Sequence, residues 1–180
     1  PELVDLNYPP VPIPNGDWNH VNSIDYEPEL DQILLSSHNQ DEVWVIDHST
    51  TTQQAAGHTG GNGGRGGDLP YRWGNPAAYR AGSAFDQQLF GQHDAQWIDP
   101  GLPGAGNILV FNNGVGRPAG QFSSVDEIAP PYDGQGGYTP GPGATFGPAA
   151  PAWTYVASPP LSFYSSGQSG AQRLSNGNTL

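Results

Sequence analysis

The sequence contains no cysteine and no lysine. Without cysteine there is no disulfide framework, no thiolate zinc site and no thiol nucleophile. Without lysine the five basic residues are all arginines, set against 17 acids for a formal net charge of -12. Nucleic acid is not an expected partner, because phosphate backbones are held by clustered Lys and Arg. Anionic membrane surfaces and anionic ligands are repelled unless an arginine or histidine reverses the local sign. No run approaches the roughly 18 apolar residues of a membrane span, so none is expected. No Asn-x-Ser/Thr acceptor occurs, so N-linked sugar is not expected either.

Gly and Pro are plentiful instead, at 26 and 19 residues, a quarter of the chain. Alone they would suggest low complexity. Five Trp, eight Tyr and six Phe argue for a packed core. Gly and Pro gather at 57–67, 100–106, 114–120 and 130–151, which read as long loops on a β-rich body.

Helical periodicity is scarce. The apolar runs are short, β-branched or aromatic, and bounded by turn residues, as strands are. Strands are expected at Ile33-Leu34-Leu35, Val43 to Ile46, Leu69 to Trp73, Trp97-Ile98, Ile108 to Phe111, Val125 to Ile128, Trp153 to Val156 and Arg173-Leu174, with a turn at Asn39-Gln40-Asp41. They recur in order as four-strand units at 18–82 and 92–157, with a third beginning at 169–180. His20 and His93 open the first two units, 73 residues apart, and Ser169 opens the third after 76 more. Repeated four-strand units are the signature of propeller blades. A four-strand sandwich repeat also fits. The expectation is an all-β chain, 1–180, forming one incomplete propeller domain. About two and a half blades are present, against roughly four to eight in a closed ring. Remaining blades or self-assembly would then complete it.

In a propeller the first strand of each blade lines the central channel. His20 and His93 would therefore face a common pocket. The plainer alternative is that each ring satisfies a carbonyl within its own blade. Imidazole suits proton transfer, nucleophilic attack and anion binding. Arg117 follows a glycine turn, Asn112-Asn-Gly-Val-Gly-Arg117, and suits bidentate anion binding, or else is an exposed loop arginine. Arg72, on an outer strand, reads as half of a structural pair, and Arg65, among glycines, as a loop residue. His48 and His58 give no metal spacing. Asp25, Glu27, Glu29 and Asp31 could form a calcium turn or a solvated acidic one. The glycine run at 63–67 lacks the strand and helix of a phosphate loop. Gly167-Gln-Ser-Gly-Ala171 lacks the last glycine of a nucleophile elbow. No cofactor and no metal is expected.

The stretches WNHVNSIDY at 18–26, GGDLPYRWGNPAAYRAG at 66–82, QHDAQWI at 92–98, ILVFNNGVGR at 108–117 and SGAQRLSNGNTL at 169–180 resemble the bacterial arylsulfotransferase family. The resemblance implies a six-bladed propeller, periplasmic or extracellular, that moves a sulfuryl group between small phenolic compounds through a sulfohistidine. On this chain it implies His20 and Arg117 as ligands of the sulfuryl oxygens and His93 as a proton-transfer or anion-binding group. The family's sulfated histidine lies on a later blade, and no histidine follows His93 here. A non-catalytic extracellular propeller that binds ligands or builds an assembly is the alternative.

Overall fold

The computed structural model describes residues 3–9, 16–140 and 145–180. Among these, eight strands form two four-stranded antiparallel sheets with almost no helix. Sheet one runs in the order β1 (Val21–Glu27), β2 (Gln32–Ser37), β3 (Glu42–Asp47) and β4 (Tyr71–Trp73). Sheet two repeats that order with β5 (His93–Trp97), β6 (Ile108–Asn112), β7 (Ser124–Ile128) and β8 (Trp153–Val156). β4 starts later than the apolar run suggests, at Tyr71 rather than Leu69. Pro70 has no N–H for the ladder, which keeps it outside the strand. The run Arg173-Leu174 supplies only an isolated bridge, Arg173 to Thr179.

Side-chain alternation decides how the sheets meet. The register Leu34–Val45–Tyr71 and Val43–Trp73 sets those five side chains on one face of sheet one. Ile108–Ile128 and Trp97–Ile108 do the same for sheet two. These two faces bury each other in one apolar cluster. The first strands are also stitched together by polar groups. Ser23 Oγ donates to the Ala95 carbonyl (3.3 Å) and accepts from the Ala95 N–H (2.9 Å), while Asp25 accepts from the Trp97 N–H (2.7 Å).

The stitch recurs one unit later. Gln96 donates to the Ala171 carbonyl (2.9 Å), and Asp94 accepts from the Ala171 N–H (3.2 Å). The start of the third unit thus lies on sheet two much as β5 lies on β1, and Ala171 joins a second apolar cluster with Leu109, Phe111 and Val125.

The loop at 130–151 is not the solvent excursion its composition suggests (residues 141–144 lie outside the described residues). It folds over β4. Tyr138 stacks on Tyr71 with ring centroids 4.8 Å apart, Phe146 meets the same ring edge-on, and both are buried. Tyr71 and Trp73 then donate to the Gly147 and Pro148 carbonyls.

The acidic turn does not gather its carboxylates. Asp25 serves Trp97, Glu27 accepts from the Glu29 N–H, and Asp31 takes the Tyr26 hydroxyl and the His48 ring. Among the described residues no group of three or more His, Asp or Glu is placed to hold a metal.

Candidate functional site

Antiparallel pairing brings the start of β1 to the end of β2, with Val21 opposite Ser37. His20 precedes that pair and His38 follows it. The two are joined through the backbone, His38 N–H donating to the His20 carbonyl at 3.2 Å. Their ring centroids are 5.0 Å apart. β5 begins at the same end, so the His93 ring meets His38 edge-on at 5.2 Å. The structure thus links His20 and His93 through a third imidazole. The sequence signal for His38 was the hairpin itself, since a residue just past the second strand must lie beside the residue just before the first.

The polar partners fix how each ring is presented. His20 has left-handed backbone, at φ 45, and its Nδ1 faces the Asp17 carboxylate. Asp17 also sits beside Asn39, which donates to its backbone carbonyl (2.6 Å). That donor role orients the Asn39 amide, leaving its Oδ1 to accept from His38 Nδ1 (3.0 Å). Likewise Asn113 donates to the Ser165 and Gln168 carbonyls and presents Oδ1 to His93 Nδ1 at 2.8 Å. An amide oxygen only accepts, so Nδ1 carries a proton in His38 and His93, and in the neutral ring the lone pair is on Nε2. In His93 that lone pair accepts the Gln168 N–H at 3.2 Å.

Arg117 is half-buried rather than exposed on a loop. Its guanidinium lies between the Phe90 and Phe122 rings, 5.4 and 4.5 Å from their centroids. Nη2 donates to Ser124 Oγ (3.0 Å), which in turn donates to Asp126 (3.2 Å). Burial lowers the guanidinium's proton affinity and the Asp126 charge opposes that. Nε is buried with no hydrogen-bond partner among the described residues. A buried unmet donor is costly, and it marks where an anion could be received. Arg117 does not touch the histidines directly. They share the 90–93 segment, with Phe90 under Arg117 and Gly91 against His38.

Gly91 is held by Asp41, whose Oδ1 accepts its N–H at 2.6 Å and whose Oδ2 accepts from Gln87 at 2.9 Å. Gly91 has φ +64, and a Cβ there would lie 3.4 Å from His38 Nε2. Burial pushes the Asp41 carboxyl up to about 6 despite those two hydrogen bonds. Its unfolded value is near 3.9, so between about pH 4 and 6 the folded state binds more protons and stability from this group falls as pH rises. Wild type should therefore lose about 1–3 kcal/mol more than Asp41→Asn between pH 4.5 and 7.5, each tenfold change in proton affinity being about 1.4 kcal/mol. Denaturant unfolding of both proteins at both pH values checks this. Parallel losses would remove Asp41 as the titrating group.

His48 and His58 lie elsewhere, paired with Asp31 and Asp68 at 2.7 Å each. Arg72 makes the structural pair expected of it, with Glu42.

No individually curated protein matches the chain. Residues 7–129 match the arylsulfotransferase (ASST) family, a span that holds His20, His38, His93 and Arg117 together with β1 to β7. With well over half its length inside that match, the chain belongs to the arylsulfotransferase family.

Proposed function

We propose that the chain works on phenolic sulfate esters, moving a sulfuryl group from one phenol to another at the His20–His93 end of the sheets. The observation that carries this reading is the row of imidazoles at one end of the sheets, inside the family match and linked through the 90–93 segment to an arginine with an unmet buried donor. A sulfate ester is a monoanion with three non-bridging oxygens. It needs cationic or N–H donors in a chain otherwise rich in negative charge. Arg117 and His20 supply them, and Asp17 compensates the charge of a protonated His20. His93 binds the anion or relays a proton once Gln168 releases Nε2. The donor loses its S–O bond and leaves as a phenol, and the acceptor oxygen gains the sulfuryl group.

The same reading stacks the sheets as propeller blades around this end, in the periplasm or outside the cell. Support comes from the repeated Ser23–Ala95 and Gln96–Ala171 stitches. One observation favours the non-catalytic reading. Tyr71 and Trp73 on β4 are 0% and 2% exposed, whereas Trp153 and Tyr155, their register equivalents on β8, are 41% and 48% exposed. A face of that kind invites a further sheet and suits an assembly.

Titrating the nitrogen-labelled protein with phenyl sulfate tests the site. The ring signals of His20 and His93 should shift and saturate, while those of His48 and His58 stay in place. Equal shifts at all of them, or none at any, would refute the site.

A further inference from the structure

We propose that His38 is the general base of this site, taking the proton from the acceptor phenol. The proposal rests on the sulfuryl-transfer reading above and adds to it a residue for the step that the other imidazoles are poorly set up to perform.

Four observations carry it. His38 is the middle ring of the row, 5.0 and 5.2 Å from its neighbours' centroids. Its Nδ1–H is committed to Asn39 Oδ1, which directs the lone pair to Nε2. No group among the described residues hydrogen-bonds that Nε2, whereas the equivalent atom of His93 is occupied by Gln168 N–H. Finally, the residue opposite Nε2 is Gly91, where a Cβ would stand 3.4 Å from Nε2 and 3.3 Å from Val115 Cβ, so glycine keeps side-chain bulk off that nitrogen.

The partners divide the labour. His20 is backed by a carboxylate, so its protonated form is charge-compensated and suits a donor to sulfuryl oxygens. His38 is backed by a neutral amide oxygen and flanked by two imidazoles, with no carboxylate on its Nδ1. The charged groups on the surrounding elements are Asp17 before β1, Asp41 at the end of its own turn, and Arg117 beyond Gly91. In the step, the phenol O–H bond breaks and the His38 Nε2–H bond forms as the phenol oxygen bonds to sulfur and the sulfur's bond to the donor phenol's oxygen breaks. The proton returns to the oxygen of the departing phenolate, so the ring ends the cycle neutral.

The test separates a base from a structural residue by the acceptor's acidity. Phenol is protonated at neutral pH and needs a base, whereas a strongly acidic phenol such as pentafluorophenol is already ionised and does not. With 4-methylumbelliferyl sulfate as donor, His38→Ala should lower transfer to phenol by about 10²–10⁴-fold and change transfer to pentafluorophenol little. Added imidazole should restore transfer to phenol. His38→Asn, which keeps a donor towards Asn39, should show the same contrast with the local turn preserved. Equal losses with both acceptors, or no loss with either, would overturn the role of His38 while leaving sulfuryl transfer standing. Wild-type protein that transfers to neither acceptor would overturn both.

Discussion

Arg72→Ala should destabilise the protein by about 3–5 kcal/mol, the range for a buried charge stripped of its partner. Arg72 and Glu42 are 1% and 0% exposed and lie on the same face of neighbouring strands β3 and β4. Arg72 Nε donates to Glu42 Oε1 (2.9 Å), Nη2 donates to Oε2, and Nη1 reaches the Leu3 carbonyl (2.9 Å). Its guanidinium also covers the Tyr79 ring at 4.4 Å. Among the described residues, removing it leaves the Glu42 carboxylate with only Trp44 Nε1 as a donor. Burial already pushes the Glu42 carboxyl up, with Arg72 as the main opposing influence. The variant's carboxyl must then either stay charged without compensation or take up a proton, so its deficit should shrink as pH falls. Domains are stable by only about 5–15 kcal/mol, and the loss would show as a large drop in the urea midpoint. Arg72→Met combined with Glu42→Leu should recover most of it, because no charge is left buried. A single variant within about 1 kcal/mol of wild type would mean that the pair behaves as a solvent-exposed one.

The second large effect is on chemistry. His93→Ala should lower kcat/KM for phenolic sulfate transfer by about 10²–10⁴-fold, the usual contribution of a positioned acid–base or charge-stabilising group. His93 has two functions to lose. Its ring completes the imidazole row, and its Nε2 holds the 165–169 segment through Gln168. His93→Gln separates them by offering an amide in place of the ring. If the loss were due only to the displaced segment, His93→Gln would recover near wild-type turnover. If the imidazole is used in the reaction, both variants stay low while their unfolding midpoints remain close to wild type.

Much of this arrangement can be read from the residues. The order of apolar triplets, the histidines opening successive units and the dense turn residues give the strands and their grouping, because period-two burial and Gly/Pro punctuation are local signals. Arg72's pairing is legible too, since an arginine inside an apolar strand must find a carboxylate. Four features escape local reading. The loop at 130–151 looks like a solvent insertion, yet Tyr138 and Phe146 complete the core around Tyr71, a contact across roughly 70 residues that no pattern announces. His38 hides in a turn, and only the β1–β2 register shows that it meets His20. The engagement of His93 by Gln168 depends on the third unit folding back on the second, which strand periodicity cannot reveal. Composition could not show either that Arg117 is clamped between two phenyl rings.

The most direct test is a product balance with the wild-type protein. 4-Nitrophenyl sulfate and phenol are supplied without any nucleotide, and both nitrophenol and phenyl sulfate are quantified. Sulfuryl transfer predicts the two products in equal amounts, with nitrophenol release depending on phenol. Nitrophenol without phenyl sulfate, or neither product, would contradict it.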